Sequence, residues 1–195
     1  MKSIGMLSMV ALFALVMEGS ASTLASTFGE EDEGWGGEGG GHMTWQRFGG
    51  DPGGFLEGEG DDGWSYRSPG SWSGDWSRYV GGVLSFDLRL IASGGSGPEG
   101  MKVRIHSSDG TVLSTSSRPP ERCWERREVV LNATNFAVPE ADFRRTMRYV
   151  DGISIGVFDA GKASTLGLDD VVVAPPSGLD LATNFDDGDG EWRPE

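Results

Sequence analysis

One segment of alternating residues constrains the fold of this chain more than any other feature. Within residues 83–90, the positions Leu84, Phe86, Leu88 and Leu90 are apolar, whereas the three positions between them are polar. Side chains of a β-strand point alternately to the two faces of a sheet. The pattern therefore predicts an antiparallel strand with one buried face and one wet face.

Gly-rich turns separate further short segments that are apolar or alternating. Strands are predicted near residues 43–48, 54–57, 64–66, 83–90, 101–107, 112–116, 125–131, 152–158 and 167–174. One short helix is predicted at 139–150. It would place Phe143, Met147 and Val150 on one stripe. Many short strands at regular spacing are typical of a sandwich or barrel, so we predict an all-β fold, a jelly-roll antiparallel β-sandwich with one short helix.

The charge of the chain limits its partners. The formal net charge is −14 at pH 7, which repels the phosphates of nucleic acids and anionic membrane surfaces. Nucleic acid is therefore not an expected partner, whereas neutral or basic ligands and divalent cations are compatible with this surface. Cys123 is the only cysteine, so no intrachain disulfide can form, and its place beside Trp124 predicts a small buried side chain.

The N-terminal residues predict an export signal. A positively charged start precedes a mostly apolar stretch at 4–17, and residues 19–21 supply the small side chains that a signal peptidase reads. We expect cleavage after Ala21, with Ala25 as the alternative. The apolar stretch is too short to span a bilayer comfortably. A secreted, extracellular chain without membrane insertion of its mature part is expected.

A short repeat predicts how the chain is divided. Residues 24–35 align without gaps to residues 181–192, and Leu, Ala, Phe, Asp and Trp coincide. We predict a signal peptide at 1–21, a β-sandwich domain at 22–174, a linker at 175–180, and the start of a second copy at 181–195 that is poorly ordered on its own. Chance similarity between two acidic loops is the alternative.

The stretch before the alternating strand carries a second pattern. Five large aromatic residues lie within residues 64–79, and Gly81 and Gly82 then lead into the strand. In this order the stretch resembles the laminin B (laminin type IV A) domain. Further likeness lies in the Asp-Pro-Gly-Gly turn at 51–54 and in residues 141–144, 150–155 and 167–173. The resemblance implies a galactose-binding-like jelly roll that serves as an extracellular binding module.

The same resemblance implies a structural Ca²⁺, which galactose-binding-like jelly rolls often hold between the opening segment and the last strand. Ca²⁺ takes about six to eight oxygen ligands. Glu30 and Glu31 supply carboxylates near the start of the domain, and Asp169 and Asp170 supply them near its end. We predict these four residues as the metal ligands. The alternative is a solvated acidic loop. Gly29 stands where the family usually carries an acid, which is a departure from its pattern.

The aromatic residues are the second candidate site. Tyr66, Trp72, Trp76 and Tyr79 could form a platform for sugar rings, because aromatic faces suit the apolar faces of pyranoses. The alternative is that the rings fill the core, which we favour for Trp64 and Trp76. Trp72 lies among Ser and Gly residues, so we expect it to be the exposed ring.

Catalysis is not expected. His42 and His106 are the only histidines and lack a metal-ligand spacing. The acidic residues at 57–62 are interrupted by Gly and predict a turn, not the facing carboxylates of a glycosidase. The function expected from the sequence is a secreted binding or adhesion module for an extracellular protein or glycan. The alternative is a carbohydrate-binding module attached to a secreted polysaccharide-active enzyme.

Overall fold

The computed structural model describes residues 22–61, 63–94, 97–158 and 163–177. The predicted export signal at 1–21 and the predicted second copy at 181–195 lie outside these residues and stay predictions. Of the helices in the described part of the chain, none is long and apolar enough to cross a membrane.

The described residues form eleven strands and one α-helix. In chain order these are β1 (Leu24–Ser26), β2 (Gly36–Glu38), β3 (His42–Gly50), β4 (Gly53–Gly60), β5 (Ser65–Arg67), β6 (Val83–Ser93), β7 (Gly100–Ser107), β8 (Val112–Ser117), β9 (Glu125–Val130), α1 (Glu140–Met147), β10 (Val150–Phe158) and β11 (Ser164–Ala174). Two short 3-10 helices, Gly70–Trp72 and Ser77–Tyr79, lie between β5 and β6.

The strands form two antiparallel sheets that pack as a sandwich. The six-stranded sheet has the order β3-β4-β11-β6-β9, and β1 also pairs with β11. The five-stranded sheet has the order β2-β5-β10-β7-β8. Strands that are far apart in sequence are neighbours in both sheets, as β4 and β11 are. The predicted fold class, an all-β jelly-roll sandwich with one short helix, is confirmed.

The alternating segment at 83–90 lies inside the six-stranded sheet as β6, between β11 and β9. Its apolar positions Leu84, Phe86 and Leu88 are at most 1% exposed, and Ile153 and Ile155 of β10 are fully buried from the opposite sheet. Burying one such side chain stabilises a fold by about 1.5–3 kcal/mol. The core between the sheets therefore fixes which side chains of β6 point outward.

The structure differs from the predicted elements in three places. β1 and β2 were not predicted, because three-residue strands composed of Leu-Ala-Ser and Gly-Gly-Glu carry no alternation of their own. α1 buries Phe143 and Met147 as predicted but ends at Met147, and Val150 begins β10 instead. Cys123 is exposed, so the prediction of a buried thiol is wrong.

Candidate functional site

The predicted aromatic platform lies in the core. Tyr66 and Tyr79 are fully buried, Trp76 is 2% exposed and Trp72 is 4% exposed, so the expectation that Trp72 is the exposed ring is wrong. Trp72 packs edge-on against Trp35, with the ring centroids 5.3 Å apart. Little of the surface of these four rings is exposed, although Trp72, Trp76 and Tyr79 line a surface cavity of about 250 Å³, so their role as ligand-binding residues stays a prediction.

Hydrogen bonds inside the protein satisfy the polar atoms of these rings. The Trp76 indole Nε1 donates to the Trp72 carbonyl (2.8 Å), and the Tyr66 hydroxyl donates to the Leu166 carbonyl (2.8 Å). The Tyr79 hydroxyl donates to the Ser22 carbonyl (2.6 Å). A buried aromatic residue with a polar tip needs such a partner. The aromatic stretch therefore braces the segment between β5 and β6 against the rest of the core.

The four predicted metal ligands do not meet in one place. Glu30 and Glu31 are exposed, whereas Asp169 is buried. Within the described ranges, no group of three or more His, Cys, Asp or Glu side chains could hold a metal ion. In the opening loop it is Glu33 that folds back, because its carboxylate accepts the amides of Thr27 (3.0 Å) and Phe28 (2.7 Å).

A bound calcium ion stays a prediction, and backbone carbonyls would have to supply many of its oxygens. A melting temperature that rises with Ca²⁺ and falls again with EDTA would confirm it. Identical melting curves with and without the chelator would contradict it.

Asp169 is nevertheless an unusual carboxyl group. It is 1% exposed. Its Oδ2 accepts the amide of Asp51 (2.7 Å) and its Oδ1 accepts the amide of Asp170 (2.8 Å). The pKa of Asp169 is raised to about 6, mainly by burial; the two amides lower it, and the nearby Asp170 and Asp87 carboxylates add to the rise. The charged form is thus disfavoured in the folded protein.

A cluster of one cation and two aromatic rings lies on the outer face of the six-stranded sheet. We call Phe55, Arg89 and Trp124 the Arg89 stack. The guanidinium carbon of Arg89 lies 4.8 Å from the Phe55 ring centroid and 4.6 Å from that of Trp124. The two rings meet edge to face, with centroids 5.4 Å apart. β4, β6 and the residue just before β9 each contribute one side chain to this arrangement.

A glycine in β11 makes room for the stack. Gly167 pairs with Arg89 of β6 and with Glu57 of β4. A Cβ at this position would lie 2.8 Å from Trp124 Cη2 and 3.2 Å from Arg89 Cγ, which is too close. The bare backbone at Gly167 therefore lets Trp124 and Arg89 lie across the sheet.

The Trp124 indole is fixed in place but remains partly open. Its Nε1 donates to the Gly49 carbonyl (2.9 Å) near the end of β3. Phe55 is only 3% exposed, whereas Trp124 and Arg89 are half-buried. Trp124 is thus the ring of the stack that keeps surface for a ligand.

Polar side chains surround the stack on the same face. Residues directly opposite each other in neighbouring strands share a face, so Thr44, which pairs with Glu57, and Gln46, which pairs with Phe55, lie beside it. Glu59 lies two residues beyond Glu57 on the same strand. Together they offer hydroxyl, amide and carboxylate groups for hydrogen bonds.

An ion pair between β9 and β6 covers the part of this outer face that lies away from β4. Arg126 of β9 donates to Asp87 (2.9 Å) and to Ser85 (2.8 Å) of β6. These two residues were predicted on a wet face, but Arg126 covers them, and they are 7% and 8% exposed. Burial raises the pKa of Asp87 although Arg126 acts against the shift. The open polar surface is therefore on the Trp124 side.

A separate small cavity lies between the edge strands β8 and β9. Its volume is about 210 Å³, and its lining includes Met101, Val103, Val129 and Thr115. None of the residues that line it is aromatic. Compared with this cavity, the Arg89 stack is the better candidate for a ligand with flat apolar faces and many hydroxyls.

The Arg89 stack was not predicted from the sequence. The alternation of β6 does place Arg89 on the outer face, but Phe55 and Trp124 come from segments far from it in sequence. Trp124 lies in a segment of mixed charges at 118–127, a pattern that is typical only of an exposed loop that enters a strand. Gly167 points to this site only once β11 is known to lie between β4 and β6. The sequence does not reveal that strand order.

Comparison with protein-family models and with curated proteins finds no match. Solved structures do match in fold. The family 11 carbohydrate-binding module of the cellulosomal cellulase Lic26A-Cel5E of Clostridium thermocellum has a TM-score of 0.53 at 15% identity, and the match covers 79% of this chain and 95% of that chain. The CBM22-1 xylan-binding domain of Paenibacillus barcinonensis Xyn10C has a TM-score of 0.52 at 14% identity, with coverage of 80% and 95%. At these identities the likeness shows the fold, a β-sandwich that is shared with carbohydrate-binding modules.

The laminin resemblance receives no comparable support. The L4b domain of human laminin alpha-2 matches with a TM-score of 0.43 at 12% identity, over 61% of this chain and 79% of that chain. This likeness is too low to carry an argument. Membership of the laminin B family stays a prediction.

Proposed function

We propose that this protein is a non-catalytic glycan-binding module whose ligand lies on the outer face of the six-stranded sheet, over Trp124. The observation that carries the proposal is the Arg89 stack, in which a partly open indole is held beside a guanidinium group. Sugar-binding surfaces combine an aromatic face for the ring with polar groups for the hydroxyls. The shared fold with two carbohydrate-binding modules supports the same function.

The indole is already ordered before any ligand arrives. Its Nε1 bond to Gly49, its edge contact with Phe55 and the Arg89 guanidinium restrain it from three sides. A side chain that is fixed in the free protein loses little conformational entropy on binding. Because this entropy cost is low, even a small contact surface with the ligand can give a measurable affinity.

The chemistry of the face favours a neutral ligand. Glu57 and Glu59 lie beside the stack, and Asp87 pairs with the cation Arg126. The guanidinium of Arg89 is engaged with two rings. Hydroxyl groups can donate to the glutamate carboxylates, whereas a uronate or sulfate would be repelled by them. We therefore propose a neutral polysaccharide or oligosaccharide as the ligand class.

Secretion and a larger parent protein belong to the same proposal. The predicted export signal would bring the module to polysaccharides outside the cell. The two similar modules are parts of a cellulase and of Xyn10C, and we propose a comparable role for this sandwich as a binding unit attached to a secreted polysaccharide-active enzyme.

The variant Trp124→Ala tests the proposal. We expect the secreted chain to bind at least one neutral glycan on a glycan array, and the variant to lose about tenfold or more in affinity, about 1.4 kcal/mol. Tyr149→Ala is the matched control, because Tyr149 is 56% exposed and lies after α1, outside the Arg89 stack. Equal binding by both variants, or binding of no glycan by the wild type, would contradict the proposal.

A further inference from the structure

Phe48 lies near the end of β3 with its ring in solvent. It is 78% exposed, more than any other large hydrophobic side chain in the described part of the chain. Leaving a phenyl ring in water forgoes about 1.5–3 kcal/mol of burial. A ring kept at such a position has no packing role in the sandwich.

Phe48 lies within an irregularity of the β3–β4 pairing. Gln46 pairs with Phe55, but the next pair is Gly50 with Gly53. Three residues of β3 thus face one residue of β4, and such a bulge bends the strand and turns its side chains in a new direction. Gly49, with φ +97°, takes a backbone conformation that favours glycine.

This bulge rests on the Arg89 stack. The Gly49 carbonyl accepts the Trp124 indole, and a Cβ on Gly49 would lie 3.4 Å from the Phe55 ring and 3.7 Å from the Arg89 guanidinium. Phe48 is therefore the immediate chain neighbour of a residue that lies against all three members of the stack. The backbone of Phe48 thus lies next to the proposed ligand surface, and its ring is open to solvent.

A cation restrains the exposed ring. The Arg47 guanidinium carbon lies 5.4 Å from the centroid of Phe48, within the range of a cation–π contact. Earlier in the same strand, Trp45 Nε1 donates to the Phe28 carbonyl (2.7 Å) and anchors β3 to the opening loop. Contacts thus fix the backbone on both sides of Phe48: Trp45 binds the opening loop, and Gly49 binds the Arg89 stack.

From these contacts we propose that Phe48 is a second stacking residue of the ligand site, which rests on the proposed function of Trp124. Each pyranose covers one aromatic face, so a ring at each of these two positions would serve two sugar units. The ligand class is then an oligosaccharide or a polysaccharide chain, and a single monosaccharide would contact only one ring. Phe48 supplies affinity and chain-length preference, and Trp124 supplies the fixed platform.

The test compares Phe48→Ala and Phe48→Trp with Trp124→Ala and with the control Tyr149→Ala in the full secreted chain. The probe is the neutral glycan that the wild type binds best, as oligosaccharides of increasing length, with affinities from isothermal titration. We expect Phe48→Ala to lower the affinity for longer oligosaccharides about five- to tenfold, while Phe48→Trp restores it. The melting temperature should not change, because the ring is exposed.

The outcomes separate the two proposals. If Trp124→Ala loses binding and Phe48→Ala binds every length as the wild type does, the inference on Phe48 is wrong and the proposed function stands. If Phe48→Ala weakens all lengths equally, the chain-length role is wrong. If the wild type binds no neutral glycan, the proposed function fails and the inference fails with it.

Discussion

Asp169 shows how a single buried side chain makes the fold sensitive to pH. Burial raises the pKa of its carboxyl group to about 6 in the folded protein, whereas an unfolded chain has an ordinary value of about 3.9. The folded state therefore prefers the neutral form. Stability from this group is fully present below about pH 4 and is lost as the pH rises through about 6.

The variant Asp169→Asn should flatten this dependence. We expect the wild type to lose up to about 3 kcal/mol of unfolding free energy from this group between pH 4 and pH 7, and the variant to lose clearly less. Urea unfolding at several pH values in the presence of EDTA measures the difference. Glu31→Gln removes an exposed carboxylate and serves as the control. A wild type and an Asp169→Asn variant with parallel pH profiles would exclude this role.

The residues of the candidate site also show what a sequence can and cannot reveal. Alternation alone is enough to place Arg89 on the outer face of β6. It cannot show that Trp72, which sits between serines, is covered by Trp35 from a distant loop. Nor can it show that Trp124 reaches Gly49 across the sheet. A local pattern predicts to which face of a sheet a side chain points. Whether that side chain is buried depends on residues that are distant in sequence and that the topology places next to it.

At the scale of elements, strands with their own alternation were predictable and strands without it were not. β6 and β10 bury apolar side chains on the inner face, so the pattern alone locates them. β1 has only three residues, and its place is fixed by Val171 to Val173 of β11, which pair with it. Short strands of this kind are defined by their neighbours and not by their composition.

The close approach of β11 to the Arg89 stack gives a test at this scale. We expect Gly167→Ala to displace Trp124, because the added Cβ would lie 2.8 Å from its ring. Overpacking of this kind costs about 1–3 kcal/mol of stability, and glycan affinity should fall although no ligand-facing side chain has been removed. Tryptophan fluorescence and titration report the two effects.

Gly36→Ala is the matched control for that substitution. Gly36 lies in β2 of the other sheet, and a Cβ there meets no atom within 4 Å. It should leave both fluorescence and affinity unchanged. Wild-type affinity in Gly167→Ala would show that the position of Trp124 does not matter for binding.

At the scale of the whole molecule, the acidic surface and the candidate site both favour a neutral ligand. A net charge of −14 surrounds the protein with a negative potential, which repels anionic polymers over roughly 10 Å at moderate salt. A neutral glycan is not repelled by this potential. Aromatic stacking and hydrogen bonds to hydroxyls should then decide which polysaccharide binds.

Salt therefore distinguishes the two kinds of ligand. We expect the affinity for a neutral polysaccharide to stay nearly constant from low to high salt, because no ion pair forms or breaks on binding. A uronic-acid-rich or sulfated polysaccharide should bind weakly at low salt and gain only as screening increases. Affinity electrophoresis at several salt concentrations compares the two directly. Tighter binding of the anionic polymer at low salt would mean that Arg89, Arg126 or Arg47 recognises negative charge despite the surrounding acids, and the ligand class would have to be reversed.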